Sequence, residues 1–274
     1  MKRRKLSLAE LLIAVAALIF VFPVAMIFIT AFKPDGEVIK FDSILPKHPT
    51  LGNFQEVLGT PEEIPLVRWF LNSLGIATAT TLLILCVASL SAYAFARLEL
   101  PGKKWVFPII IGALMVPGQI LLVPVYLELN ALGWLDTPLA LIVPAGGSAF
   151  GFFMLHSFFI SIPRELEEAA ELDGCGRLGI FWNVIVPLSK SPMAALAIFV
   201  FVGSWNDFLG PLVYLDSVDH YTLPVGVALF QSSYGNEYGL TLAAGVLCTL
   251  PTVLAFLLFQ RHILAGMAAS GLKE

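Results

Sequence analysis

The sequence predicts an all-α membrane protein with six transmembrane helices, and three observations lead to this fold class. Of its 274 residues, 58% are hydrophobic and 13% are charged, whereas about a quarter of a soluble domain is charged. The mean hydropathy is +0.85. Several uncharged stretches also reach the roughly 20 residues that a membrane-spanning helix needs. Together with a net charge of −4, these features exclude an ordinary soluble enzyme, a disordered chain and a nucleic-acid-binding protein.

Six segments are long and apolar enough to span a bilayer as helices. They are residues 11–32, 69–96, 105–127, 137–163, 191–215 and 239–260. Apart from His156 and Asp207, each is a continuous apolar run. This favours a helix over the strands of a membrane β-barrel, because those alternate in polarity over about 10 residues. The first segment is longer than the core of a cleaved signal peptide. We therefore expect it to be an uncleaved first span.

The distribution of lysine and arginine predicts the orientation. With the N-terminus inside, twelve of these residues fall in cytoplasmic segments and four fall outside, and the outer segments 128–136 and 216–238 hold none. Cytoplasmic segments carry the excess of positive charge in membrane proteins. Both termini are therefore predicted to be cytoplasmic.

Helix breakers and isolated polar residues lie within or between these spans. Prolines occur at positions 23, 108, 117, 124, 144, 211 and 251. They fit either the broken helices of a transport path or the ordinary proline content of membrane helices. The outer segment 33–67 is predicted to be an irregular external loop with a short helix at 53–58. His156 is predicted to be a packed, neutral histidine. The three cysteines suggest neither a disulfide framework nor a zinc site, and no catalytic constellation is present.

Asp207 is the only acidic residue inside a predicted span, within Trp205-Asn206-Asp207-Phe208. An ionisable side chain at that depth is costly unless it faces a partner or water. It could therefore form a polar wall of a permeation path. Gly210 and Pro211 follow directly, so a helix break near the outer surface explains the same residues equally well.

The segment 162–192 interrupts the hydrophobic pattern with a short, polar helix. Pro163 at the first helical position, acids in the first turn and a terminal Gly174 specify both of its ends. One face is predicted to contain Leu166, Ala169, Ala170 and Asp173. A second short helix is expected at about 177–184. The pair could fit a groove on a soluble partner, although a run of acids could also be a solvated surface.

The spacing of these residues is more specific than their charge. Glu168-Ala169-Ala170, three residues, Gly174, nine residues, Val184, one residue and Val186-Pro187 resembles the EAA motif of ABC importer permeases. Further matches to the carbohydrate branch, and to its maltose-type second permease, are Asn53-Phe54, Asn72-Ser73-Leu74, residues 92–97, Leu132-Gly133 with Asp136-Thr137, residues 205–208 with Pro211-Leu212, and 260–261 with 266–273. The tail departs from the family pattern at 269–273.

The resemblance implies a type I importer permease fold in which 1–274 is a single transmembrane domain. It implies a heterodimer with a second permease, an ATPase dimer beneath it and an extracellular or periplasmic solute-binding protein. ATP would bind to the ATPase, and this chain would hold no cofactor or metal and catalyse no reaction. The ATPase-coupling residues would be Glu168, Ala169, Ala170, Asp173, Gly174 and Pro187, and Trp205, Asn206 and Asp207 are candidates to line the path.

The expected membrane is the cytoplasmic membrane of a bacterium or archaeon, and the expected solute is a di- or oligosaccharide. Aromatic faces and neutral hydrogen-bonding groups suit sugars, and Tyr93, Trp205, Asn206 and Tyr214 could supply them. Glycerol phosphate or another polyol is the alternative solute. An ion-coupled secondary carrier is a more remote alternative, since it would need more acids within the membrane than Asp207.

Overall fold

The computed structural model describes residues 8–40, 43–59, 64–233 and 238–271, and within these ranges the secondary structure is helical without strands. The α-helices are α1 (Leu8–Ala31), α2 (Asp35–Lys40), α3 (Gly52–Gly59), α4 (Leu66–Arg97), α5 (Lys103–Ala113), α6 (Leu122–Leu132), α7 (Leu139–Ala145), α8 (Ala149–Ser161), α9 (Glu165–Leu172), α10 (Arg177–Ile180), α11 (Val186–Leu188), α12 (Lys190–Trp205), α13 (Leu209–Tyr214), α14 (Leu223–Ser233) and α15 (Tyr238–Gly271). A π-helical turn, Phe181–Ile185, joins α10 to α11. The all-helical fold class is thus confirmed for the described residues.

The described residues contain three to five helices that could cross a membrane. Ala9–Ala31, Leu66–Arg97 and Leu139–Ser161 are long and apolar enough individually. Two more candidates are bent pairs, one with a 97° break and one with a 78° break. The sixth predicted span coincides with a shorter apolar helix, Tyr238–Leu254. The predicted cytoplasmic end of this span lies after residue 254, where the structure describes no side chains. The charged residues 2–5 also lie outside the described residues.

The two bends have different local causes. The 97° bend follows Pro117, whose extended backbone (φ −61°, ψ 128°) starts a 3₁₀ turn, Gly118–Leu121, before α6. Proline disfavours a helical conformation in the residue before it and lacks an N–H for the helix ladder. The 78° bend lies at Ser189, whose hydroxyl donates to the carbonyl of Ile185 over 2.6 Å. The proline pattern thus predicted the first bend, but it did not predict the second.

Residues 1–68 and 223–251 form one compact unit. Within it, the Asn53 side chain caps the end of α1 by donating to the carbonyls of Ala31 (2.8 Å) and Lys33 (2.9 Å). The rings of Phe32 and Phe54 pack 5.0 Å apart. The short helix predicted at 53–58 is confirmed as α3, and its location outside the membrane stays a prediction. The acidic pair at 62–63 lies outside the described residues.

Residues 69–222 and 252–274 form the second unit. Its main apolar core joins α4, α8, α12 and the π-helical turn, with buried residues that include Ala92, Phe152, Leu155, Phe159, Ile180, Phe181, Ile185 and Leu196. His156 is 6% exposed and lies between the rings of Phe107 and Phe152, at centroid distances of 4.9 and 5.4 Å. The prediction that this histidine is packed is confirmed. The segment 162–192 thus contributes to this core itself, through Ile180, Phe181 and Ile185.

Candidate functional site

The short helix α9 has a well-defined end. Gly174 adopts a left-handed backbone conformation with φ 86°. Its N–H donates to the carbonyl of Glu171 over 3.0 Å, and the N–H of Cys175 donates to that of Ala170 over 2.9 Å. This pair of bonds is a Schellman motif, which satisfies carbonyls that would otherwise lack partners. The predicted glycine terminus is confirmed.

The start of α9 differs from the prediction. The helix begins at Glu165, two residues after Pro163. Arg164 is the N-cap residue, and its carbonyl accepts the N–H groups of Glu167 and Glu168. Pro163 therefore precedes the helix instead of occupying its first position.

The two sides of α9 have different surroundings. Glu167 is buried, and Ala170 packs against the apolar core of its own unit. Glu168 and Ala169 are exposed on the other side, together with Leu172, which is 90% exposed. Of the predicted face, Leu166, Ala169 and Asp173 are exposed, whereas Ala170 is only partly exposed and packs against the core. The outward face combines Glu165, Glu168, Ala169 and Leu172.

Arg97, the last residue of α4, holds the inner side of α9. Its Nε lies 2.5 Å from Oε1 of Glu167, and the two side chains are only 4% and 9% exposed. Its Nη2 also donates to the carbonyl of Ile162 over 2.6 Å. Burial raises the pKa of Glu167, and the positive charge of Arg97 opposes that rise. No role could be predicted for Arg97 or Glu167 from the sequence, because nothing local distinguishes Glu167 from its acidic neighbours.

The second part of the loop packs against α4 as well. The hydroxyl of Tyr93 donates to the carbonyl of Arg177 over 3.1 Å, and its ring lies 5.3 Å from that of Phe181. Tyr93 is buried, so it does not offer an open aromatic face to a solute. The helix predicted at 177–184 continues through the π-helical turn to Leu188, and Pro187 is exposed on its last turn. π-Helical turns are frequent at functional sites.

Trp205, Asn206 and Asp207 lie at a break after α12. Trp205 is 1% exposed and packs against Phe70 and Phe201, at centroid distances of 5.4 and 6.0 Å. Asn206 and Asp207 are exposed, and Oδ1 of Asp207 accepts the N–H of Gly210 over 3.5 Å. The helix therefore ends here and a new one begins at Leu209, as expected if the segment is a helix break. Only Asn206 and Asp207 of the three present polar groups at a surface of this unit.

A polar cluster in the segment after α13 was not anticipated as a site. Asp136, which has φ 58°, accepts the N–H groups of Asp216 (3.0 Å) and Ser217 (2.9 Å) and the hydroxyl of Ser217 (2.5 Å). Nδ1 of His220 lies 3.2 Å from its Oδ2. Burial alone would raise the pKa of Asp136, but the hydrogen bonds from Ser217, Asp216 and His220 hold it well below its ordinary value.

Asp136→Asn is expected to lower the melting temperature of the detergent-purified protein by several degrees at pH 7. The depressed pKa means that the folded state favours the ionised carboxylate, so its stabilising effect is present above about pH 4 and is lost as the pH falls toward the folded-state pKa. The melting difference between the two proteins should therefore shrink below about pH 4. Glu128→Gln, at an exposed carboxylate of α6, is the control. An unchanged melting temperature for Asp136→Asn at pH 7 would contradict the anchoring role.

The described residues contain no group of three or more histidine, cysteine, aspartate or glutamate side chains arranged to hold a metal ion. Their most organised polar features are the capped helix α9 with its buried ion pair and the Asp136 cluster. These features, combined with long apolar helices, define a multi-pass helical membrane protein that presents an ordered polar loop.

The chain belongs to the family described as binding-protein-dependent transport system inner membrane component, whose model matches residues 87–268. The matched region includes α9, Arg97 and the Asp136 cluster. The family consists of transport proteins, so the chain is a component of a transport system and not an enzyme. The predicted resemblance to ABC importer permeases is confirmed.

Individual relatives match along the full chain. One is the arabinooligosaccharides transport system permease protein AraQ of Halalkalibacterium halodurans, 34% identical over 280 residues and covering 100% of both chains. Another is the diacetylchitobiose uptake system permease protein NgcG of Streptomyces coelicolor, 32% identical, covering 98% of this chain and 89% of the relative. A crystal structure of a bacterial ABC transporter that imports the acidic polysaccharide alginate contains a chain with the same fold, with a TM-score of 0.81 at 20% identity. The alignment covers 94% of this chain and 99% of that one.

Proposed function

We propose that this chain is one of two permease subunits of an ATP-driven importer for a di- or oligosaccharide. In this proposal residues 1–274 form one transmembrane domain with six spans and both termini in the cytoplasm of a bacterium or archaeon. The excess of lysine and arginine in the predicted inner segments supports the orientation. The names of the relatives, which specify arabinooligosaccharides and diacetylchitobiose, favour a sugar over glycerol phosphate or another polyol.

The observation that carries the proposal is the outward face of α9. Glu168, Ala169 and Leu172 stand out from a helix whose end is capped at Gly174 and whose inner side is held by Arg97. Ala169 is small and lies between Glu168 and Leu172, so another protein can approach this face closely. The capped end at Gly174 limits bending of α9. This region, which we call the coupling loop (residues 162–192), would dock on one subunit of an ATPase dimer.

The mechanism is a shift between two conformations. ATP would close the ATPase dimer, move the docked coupling loops and open the path to the outside, where a binding protein delivers the sugar. Hydrolysis would then reset the path. ATP would be bound by the ATPase alone, so Glu168, Ala169, Ala170, Asp173, Gly174 and Pro187 would transmit motion without contacting nucleotide. Ala170 would contribute from inside, because it seats α9 on the core.

The second permease would complete the path. Asn206 and Asp207 are exposed beside the break after α12, so they are proposed to face the path, while buried Trp205 would support the break from within. No residue of this chain is assigned as a direct sugar ligand.

The test is reconstitution of the chain with a candidate second permease, ATPase and binding protein from the same organism. Tagged chain purified in mild detergent should retain the ATPase, and proteoliposomes with ATP inside should take up a radiolabelled oligosaccharide when the binding protein is outside. Uptake that persists without ATP but follows a proton or sodium gradient would refute the proposal in favour of an ion-coupled carrier. Glycerol phosphate or a polyol competing better than any oligosaccharide would refute the proposed solute class.

A further inference from the structure

We propose that Arg97 is a positioning residue that fastens the coupling loop to the inner end of α4, so that the loop and this helix move as one body. The inference rests on the proposed function, because it concerns how motion received by α9 reaches a membrane span. It adds a residue that lies outside the EAA motif and that contacts neither nucleotide nor sugar.

Side chains of α4 contact both halves of the coupling loop. The Arg97 side chain contacts the carbonyl of Ile162, just before α9, and the carboxylate of Glu167 within α9. Tyr93 lies one turn earlier on the same side of α4 and donates to the carbonyl of Arg177, at the start of α10. Arg97 thus holds the chain just before α9, and Tyr93 holds the start of α10. Both halves of the coupling loop are therefore attached to adjacent turns of α4.

The physical chemistry makes this attachment stiff. A guanidinium presents several donors in a fixed planar arrangement, so it can hold two acceptors at once, which a lysine ammonium at the end of a flexible chain does less well. Both members of the ion pair are buried, and separating them would leave a charge without a partner in a poorly solvated environment. Sliding α9 along α4 would break these contacts together, whereas moving the two helices jointly breaks none.

A second ion pair in the same loop provides the contrast. Arg177 Nη1 lies 2.6 Å from Oε1 of Glu171, but these side chains are 61% and 43% exposed. Exposed pairs contribute little because water and salt screen them. Arg177 itself lies within the coupling loop, so the control for Arg97→Met is Lys104→Met, which removes an exposed positive charge from α5 outside that loop.

The first experiment measures ATP hydrolysed and sugar imported in the same proteoliposomes. Arg97→Met should still co-purify with the ATPase, but the ATP consumed per sugar imported should rise severalfold. Arg97→Lys should give an intermediate ratio, and Lys104→Met should keep the unaltered ratio. An assembled Arg97→Met complex with the unaltered ratio would overturn the inference while leaving the proposed function intact.

The second experiment leaves Arg97 in place, so it tests the inference even if the Arg97→Met complex does not assemble. Spin labels at Leu90 of α4 and Asn183 of the π-helical turn, both exposed, report the distance between the span and the loop. We expect the same distance distribution without nucleotide and with a non-hydrolysable ATP analogue. A shift between the two states would overturn the inference. Failure of the unaltered chain to retain any ATPase would instead overturn the proposed function, and the inference with it.

Discussion

Gly174→Pro is expected to abolish ATP-driven sugar uptake while leaving the protein in the membrane at normal abundance. Gly174 has φ 86°, and proline is restricted to φ near −65°. The substitution also removes the N–H that donates to the carbonyl of Glu171. The end of α9 must therefore unwind, and the outward face of Glu168, Ala169 and Leu172 loses its shape. Uptake and ATP hydrolysis in proteoliposomes, compared with membrane abundance by immunoblot, measure this effect.

Gly174→Asn is the matched control for this prediction. Asparagine adopts the left-handed conformation more readily than other non-glycine residues, and an added Cβ at this position meets nothing within 4 Å. This variant should retain most of the uptake, and Gly174→Ala should fall between the two because the left-handed conformation costs alanine about 1–2 kcal/mol. Normal uptake by Gly174→Pro would refute the coupling role of α9.

The end of α9 could be predicted because its signals are local. A glycine after an amphipathic, acid-rich stretch is sufficient to specify a left-handed terminus. The predicted start of α9 was two residues too early. Proline is compatible both with the first helical position and with the chain before a helix, so Pro163 alone does not fix where the helix begins. Helix boundaries of this kind are settled by tertiary context.

The hold of Arg97 on Glu167 could not be predicted from sequence. Glu165, Glu167, Glu168 and Glu171 all belong to one acidic run, and only the packing of α9 on the core distinguishes Glu167 from the others. The resemblance did single out the segment that ends at Arg97, but as a motif without a stated role. The same limit applies to Asp136, whose partners are contributed by a distant segment.

The sequence predicts where the apolar helices lie along the chain but not every place where they bend. Hydropathy located three helices and two bent helix pairs that are apolar enough to cross a membrane, because burial in lipid requires apolar composition whatever the local geometry. The number of six spans stays a prediction. Hydropathy contained no information about the 78° bend at Ser189, which has no proline at the break itself. The broken chain at Asn206–Asp207 was one of two interpretations, and only the position of Trp205 in the core shows how that break is supported from within.

Glu167→Lys and Glu168→Lys are expected to fail for different reasons, although the two residues are adjacent. Glu167→Lys places a second cation beside Arg97 in a buried site, and breaking a buried pair in this way costs about 3–5 kcal/mol. The coupling loop should lose its packing on the core, which lowers the melting temperature and increases cleavage of the loop by added chymotrypsin, a protease that gains no cleavage site from either substitution. Glu168 is exposed, so Glu168→Lys should leave melting and proteolysis unchanged.

The same two variants also separate folding from docking. Glu168→Lys reverses a charge on the outward face and should reduce retention of the ATPase and uncouple hydrolysis from uptake, without loss of the protein from the membrane. The charge-exchange variant Arg97→Glu with Glu167→Lys restores opposite charges at the buried site and should recover part of the stability lost in Glu167→Lys alone. Because two substitutions in contact are not additive, this recovery measures the interaction between them. Equal melting temperatures for Glu167→Lys and the unaltered protein would contradict the buried ion pair, and normal coupling in Glu168→Lys would contradict the outward docking face.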